Sequence, residues 1–235
     1  MANRFFVNAP FDGILRGENA HHAARVLRLR KSERVIVCDG CSREAIAVIT
    51  NIDAESVHLD VEKWHDCRTE PLVNLTIFIA VAKGDRMNYA IQKSVELGAK
   101  VIVPFVSNRC VAKAEGNKPE RWRKIVKQAA MQAGRGIIPD MCIPVTFEQA
   151  VAIASESELS LFCYEVPIGI SLKKALPESP PNNIAVMCGP EGGFTENEAM
   201  LAMQSMQAVK LGSRILRCET APVVALAAIT THYDL

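Results

Sequence analysis

The stretch NIAVMCGPEGGFTENE (183–198) runs from an unbroken apolar segment, through a glycine-rich loop, into the start of a helix. Apolar residues without polar alternation read as a strand buried on both faces, the kind found in parallel sheets. Thr195 and Glu198 form a T-x-x-E capping box, which fixes where the helix begins and therefore how long the loop is. Outward from this unit the same pattern recurs. Strands are expected at 73–81, 100–106, 159–163, 183–188 and 207–211, with helices at 85–97, 119–134, 147–156, 195–206 and about 220–232. That alternation predicts an α/β fold with a mostly parallel sheet covered on both faces.

The character of the chain changes near residue 70. Before it, the β-branched runs RVIVCDG, EAIAVITNI and SVHLDVEKW are separated by turn signals at Asp39-Gly40 and Asn51 to Asp53, the pattern of a small β-rich unit. AHHAARVLRLR (20–30) is the exception, with apolar spacing that suits one short helix. The expected division is 1–70 and 71–235, and 235 residues suffice for two modest domains. With 49% hydrophobic and 23% charged residues, the composition excludes disordered, collagen-like and coiled-coil classes. The N-terminus MANRFFVNAP has no apolar run of signal length, and no stretch approaches roughly 18 apolar residues, so a cytoplasmic protein without membrane insertion is expected. The eight cysteines are scattered through apolar segments, as free thiols are in a reducing compartment. Cys38 and Cys41 make a C-x-x-C inside a turn, with no second pair at zinc-ligand spacing, so no metal is expected.

Lys plus Arg number 27 against 26 Asp plus Glu, a net charge of +1 that by itself argues against a nucleic-acid partner. The charges are segregated, however. Residues 21–34 carry five bases against one acid and residues 109–135 carry eight against two, while 136–171 holds five acids and no base. One basic run reads as a solvated face; two in separate domains raise the expectation of a polyanion groove.

In open α/β sheets ligands sit beyond the carboxyl ends of strands, so the loops after strands carry the chemistry. In CGPEGGFTENE (188–198), Gly189, Gly192 and Gly193 permit positive φ and close backbone approach. The phosphate-loop lysine is missing and Glu191 would repel phosphate, but a carboxylate suits a cationic ligand such as the sulfonium of S-adenosylmethionine. A tight turn whose glycines serve only packing is the competing reading. In LGSRILRCETAPVVAL (211–226), Arg214, Arg217 and Glu219 are three charges in an apolar segment that need a partner or a task, and Pro222 fits the first turn of the last helix. An Arg217–Glu219 pair that only braces the loop competes with a catalytic role.

Together, KGDRMNYAIQKSVELG, VPFVSNRC, AAMQAGR, GPEGGFTENE and LGSRILRCETA resemble the RsmE family of ribosomal RNA uridine-N3 methyltransferases, of the SPOUT superfamily. HHAARVLRLRKSERVIVCDG resembles the family's N-terminal PUA-like RNA-binding barrel, so the resemblance covers nearly the whole chain. It implies a SPOUT-type α/β knot, that is, a deep C-terminal trefoil knot, behind a small N-terminal PUA-like β-barrel domain. It also implies a homodimer, S-adenosylmethionine held by the knot loops, and methylation of uridine 1498 in 16S rRNA on the small ribosomal subunit. Ser213, Cys218 and Pro222 depart from the residues usual in the family.

On this footing the donor site is expected at Gly189, Glu191, Gly192, Gly193, Leu211, Gly212, Leu216 and Cys218, largely through backbone groups. Uracil N3 carries a proton at neutral pH, so a base must remove it or cations must stabilise the anion. Arg217 and Arg109 are expected to orient the uracil or its phosphate, with Glu219 as the base. Arg25, Arg28, Arg30, Lys31, Arg86, Gln132, Arg135 and Arg214 are expected to hold RNA, with Lys83 joining either site. A non-catalytic RNA-binding or ribosome-assembly factor would have no need of the GPEGG and RCETA loops, and a nucleotide-dependent transferase would need the missing phosphate-loop lysine.

Overall fold

A computed structural model describes residues 3–111, 118–165 and 169–233. Residues 112–117 of the basic 109–135 segment lie outside the described residues. Contacts between Cα atoms divide the chain into two units, Met1–Glu70 with Ala130–Ile138, and Pro71–Ala129 with Pro139–Leu235.

The first unit contains β1 (Asn3–Phe6), β2 (Ile14–Arg16), α1 (Gly17–His21), β3 (Arg34–Cys38), β4 (Arg43–Ile52), β5 (Ser56–Val61) and β6 (His65–Asp66). Its sheet runs β1-β3-β4-β5-β2 with β6 added on β4; β1 pairs parallel to β3 and the other pairs are antiparallel. Alternate strand residues, among them Val35, Val37, Ala45, Ala47 and Ile49, build its core with Phe5, Leu15 and Leu29. The helix expected over 20–30 starts earlier and ends sooner. It passes from α1 into a π-helical turn (His22–Val26), and Arg28 has a left-handed φ of 51° that no helix continues through.

Residues 130–138, which the sequence pattern assigns to the C-terminal domain, pack with this first unit. The Glu70 carboxylate accepts hydrogen bonds from the Gly136 N–H (2.8 Å), the Ile137 N–H (3.2 Å) and the Arg135 guanidinium. Arg135 is only 3% exposed, so its charge is solvated by Glu70 rather than by water.

The second unit contains β7 (Asn74–Ala80), α2 (Asp85–Glu96), β8 (Ala99–Val106), α3 (Lys118–Gln132), β9 (Asp140–Met141), β10 (Val145–Thr146), α4 (Phe147–Ser155), β11 (Leu159–Cys163), β12 (Ile170–Ser171), α5 (Leu172–Ala175), β13 (Asn183–Cys188), α6 (Glu196–Ala202), β14 (Gln207–Lys210) and α7 (Ala221–Tyr233). The end of α3, from Ala130, belongs to the first unit. The strand order is β10-β8-β7-β13-β11-β14-β12 with β9 on β8, and each pairing is parallel. Phe78, Val103, Phe105, Phe162, Ala185 and Met187 pack with α4 and α6. The strand residues of opposite parity, Ile77, Ile79, Ile102, Leu161, Ile184 and Val186, are buried as well. Period-two alternation sends them to the other face, where α2 and α7 pack on β8 and β13. The expected α/β sheet with two covered faces is therefore present. The helix expected over 195–206 stops at Ala202, where the chain turns through Met203 to Ser205.

Glu70→Ala should strip a buried guanidinium of its counter-charge and free two backbone N–H groups. We expect a loss of about 3–5 kcal/mol in chemical denaturation, the range for breaking one side of a buried pair, and a smaller loss for Glu70→Gln.

Candidate functional site

The strands β13, β11 and β14 lie side by side and end together: Cys188 is in register with Cys163, and Cys163 with Val209. The loops that leave these three ends enclose a cavity of about 440 Å³, a volume suited to a small organic ligand. The middle strand contributes Tyr164 and Glu165, β13 the glycine-rich loop, and β14 the segment Leu211–Glu219.

Local chemistry fixes each loop. Thr195 and Glu198 form the capping box expected of T-x-x-E, with Glu198 Oε2 accepting from the Thr195 N–H at 2.8 Å. Glu198 is itself buried, and its second oxygen accepts the Asn108 N–H at 2.8 Å, which ties the loop after β8 to the glycine-rich loop. The glycines divide by cause. Gly193 alone of the three has positive φ (68°), whereas a Cβ on Gly189 would lie 2.6 Å from the Phe194 ring. A Cβ on Gly192 would press on Arg109 at 3.0 Å.

The cavity lining mixes both charges with apolar side chains. Glu165, Glu191 and Glu219 line it together with Arg86, Lys210, Arg214 and Arg217, beside Val209, Leu211, Ile215 and Leu216. Glu191 accepts from the Lys83 N–H (3.4 Å) and from Arg86 Nη1 (3.1 Å). Partial burial works against ionisation of Glu191, but hydrogen bonds from its own N–H, the Lys83 N–H and Arg86 outweigh it and hold the carboxyl below its ordinary range. The Cys218 thiol donates to Glu219 Oε2 at 3.2 Å. Burial first, then that hydrogen bond and the charges of Glu191 and Glu219, push this thiol up to about 12.

Of the expected donor residues, Gly189, Glu191, Gly193, Leu211, Gly212, Leu216 and Cys218 line the cavity. Gly192 stands just outside, its carbonyl accepting from Arg109 Nη1 at 3.1 Å. Arg109 therefore braces the glycine-rich loop and is not a wall of the cavity. Arg217 and Glu219 both line it, 3.9 Å apart, but Arg217 is 80% exposed, so the burial argument for these arginines does not apply: Arg214 and Arg217 are solvated cations at the mouth. Arg86 and Arg214, expected on RNA, also line the cavity. On the first unit Arg25, Arg28, Arg30 and Lys31 are exposed, and on α3 Gln132 is exposed. Arg135 corrects the sequence reading: buried against Glu70, it presents no guanidinium to RNA. Tyr164, Glu165 and the Asn108–Glu198 tie were not anticipated. The first two were within reach, because they follow the carboxyl end of an expected strand.

Residues 68–230 match the family model described as an RNA methyltransferase domain, and residues 15–62 match one described as an RNA methyltransferase PUA domain. A ribosomal RNA small subunit methyltransferase E from Bacillus subtilis is 33% identical over 229 residues, covering 93% of this chain and 90% of the relative. The one from Synechocystis sp. is 37% identical, over 89% of this chain and 69% of the relative. The crystal structure of a ribosomal RNA small subunit methyltransferase E from Neisseria gonorrhoeae bound to S-adenosyl methionine has a TM-score of 0.89 at 31% identity, covering 99% of this chain and 98% of that one.

A parallel sheet with a ligand-sized cavity at its carboxyl edge, inside a matched RNA methyltransferase domain, defines the class: this is an RNA methyltransferase fold. The basic segments fall on both units, as an RNA-directed enzyme requires. The chain belongs to the ribosomal RNA small subunit methyltransferase E family.

Two measurements check this geometry. Glu198→Ala should remove the side-chain half of the capping box, leaving the Thr195 and Asn108 N–H groups without their acceptor and lowering stability by about 1–3 kcal/mol in denaturant titration. Iodoacetamide at about pH 8 should alkylate the exposed Cys41 and spare Cys218, as read by peptide mass spectrometry, because the thiolate is the reactive form.

Proposed function

We propose that this chain transfers a methyl group from S-adenosylmethionine to N3 of one uridine in 16S rRNA, uridine 1498 by resemblance, acting in the cytoplasm on the small ribosomal subunit as a homodimer. The observation that carries this reading is the cavity at the ends of β13, β11 and β14, where three carboxylates border an apolar, glycine-walled space. The donor's chemistry fits these residues. Its sulfonium and ammonium groups suit Glu165, Glu191 and Glu219, while Val209, Leu211 and Leu216 suit an adenine face whose edge backbone groups read. The Neisseria gonorrhoeae relative, with S-adenosyl methionine bound, supports the same assignment.

When bound, the donor supplies a methyl group already activated by positive sulfur, so the protein's main work is alignment. Arg217 stands solvated at the mouth, free to meet the uracil and to stabilise negative charge on O2 or O4 as N3 loses its proton. Glu219 receives that proton: Oε2 takes the Cys218 thiol hydrogen bond, and Oε1 is the oxygen that faces Arg217. Arg109 acts through the Gly192 carbonyl as a positioning residue.

The N-terminal unit serves as the PUA-like RNA-binding barrel, with Arg25, Arg28, Arg30 and Lys31 as its exposed cations. Gln132, at the end of α3, adds to the first unit, and Arg86 and Arg214 contribute from the second. The strand order supports the knot of the family. After laying β11 the chain returns to insert β13 between β7 and β11, then crosses again to set β14 on the far side of β11.

Arg217→Ala should lower the single-turnover methylation rate by at least about 100-fold, and Glu219→Gln by a similar factor, the scale of electrostatic and general-base contributions. An unchanged rate for Glu219→Gln would remove the base assignment. Mass spectrometry of 16S rRNA from cells lacking this chain should show N3-methyluridine missing at one position; an unchanged level would overturn the assignment.

A further inference from the structure

The first unit carries a second concavity, of about 730 Å³, whose walls all belong to that unit. It forms where the short β6 joins the start of β4, with Arg43 opposite Asp66 and Glu44 opposite His65. Trp64 and Arg68 flank β6 on either side. The Trp64 ring is half-buried and packs against the core of the unit, so it is braced from behind while it lines the concavity. A tryptophan held that way loses little freedom when a flat ligand stacks on it.

The charges around it are not cancelled. Glu44 is neutralised by the buried Arg4, 2.6 Å away. Arg43 and Arg68 are exposed, and among the described residues no carboxylate pairs with either guanidinium. They stand against the single exposed Asp66, so the rim attracts an anion. This differs from the 25–31 segment, whose exposed Arg25, Arg28, Arg30 and Lys31 offer positive charge with no aromatic residue among them.

Resting on the reading of the chain as an RNA-modifying enzyme, we propose that this concavity is a subsite for one unpaired nucleotide of the RNA substrate. The base stacks on Trp64, Arg43 and Arg68 take the phosphate, and the Asp66 carboxylate reads the base edge. An unpaired nucleotide is required because a base inside a duplex has no free face for an aromatic ring. The carboxylate sets the preference. It only accepts hydrogen bonds, so it favours the amino groups of cytosine, adenine or guanine over uracil, whose one edge donor, N3–H, lies between two carbonyl oxygens that a carboxylate repels. The nucleotide held here is therefore a different one from the uridine that is methylated, and the subsite gives the N-terminal unit sequence information as well as affinity.

The test uses the full chain and labelled hexacytidylate, hexaadenylate and hexauridylate. Binding is followed by anisotropy and by quenching of Trp64, since Trp122 is buried. Wild type should prefer the first two over hexauridylate. Trp64→Ala should weaken hexacytidylate binding by about five- to 100-fold, the range of base–aromatic stacking, and Trp64→Phe should retain most of it. Arg43→Gln with Arg68→Gln should weaken all three and flatten the salt dependence, and Asp66→Asn should narrow the preference against uracil. Calorimetric binding of S-adenosylmethionine should be unchanged throughout. Should Trp64→Ala fail to fold, Trp64→Phe and the double arginine variant decide between the outcomes. Wild-type affinity and salt slope in the double variant, with full binding by the Trp64 variants, overturn the subsite but leave the methyltransferase reading intact. Normal hexamer behaviour in a chain that methylates no 16S rRNA overturns that reading but not the subsite.

Discussion

Three parallel strands ending in register are the constraint on which the site depends. In an antiparallel sheet successive loops leave from opposite edges, whereas parallel β13, β11 and β14 must all release their loops at one edge. The residues after Cys163, Cys188 and Lys210 therefore meet, although long stretches of chain separate them. What remains is to hold the loops still. Glu198 does this for the loop after β13, tying it to the loop after β8, since one buried carboxylate accepts from both Thr195 and Asn108. Arg109, beside Asn108, is placed by that tie and reaches the Gly192 carbonyl. A buried carboxylate with well-aligned N–H donors is a rigid joint, because any movement leaves a charge without a partner.

The distribution of charge follows from this layout. Carboxylates and bases share the cavity wall, Arg86 beside Glu191, while Arg214 and Arg217 stand solvated at its mouth. Arg86 stabilises Glu191 as an anion and leaves Glu165 and Glu219 to the cavity. The net charge of +1 is the sum of such opposed surfaces, with the base-free stretch 136–171 supplying Glu165. Near-neutrality of a whole chain thus says little about its partner when acids collect in one site and bases on other segments.

Elements with strong local signals were legible: the longer apolar strands from β7 onward, the capping box, and two of the three loops that build the cavity, those after β13 and β14. Elements of two to four residues, β9, β10, β12 and α5, were not, because they are too short to establish a period. The helix near residue 20 was misplaced because its end depends on a π turn and a left-handed Arg28, neither of which apolar spacing reports. Arg135 looked like one more exposed base in a basic run. Its partner, Glu70, lies 65 positions away, and only the packing of 130–138 onto the first unit brings them together. The contact of Arg109 with the Gly192 carbonyl is hidden for the same reason, since Gly192 is 83 positions distant. Charge type is written in the sequence, but burial and partner belong to the tertiary structure.

Cys218 shows how one electrostatic arrangement serves two ends under the proposed function. A thiol beside an activated methyl group is a competing nucleophile, but only as the thiolate. Burial, the hydrogen bond to Glu219 and the nearby charges of Glu191 and Glu219 push this thiol up to about 12. At neutral pH the thiolate fraction is then on the order of one in 100,000. The carboxylates that make the cavity hospitable to a cation are the same ones that keep the sulfur protonated. A cation bound there would draw the thiol back toward ionisation, so Glu219 must keep its hydrogen bond to Sγ while its other oxygen serves the substrate. Under the proposed function the two oxygens of Glu219 would then divide the work, one guarding the donor and one handling the proton, and a residue with a single acceptor at that position would forfeit one of the two.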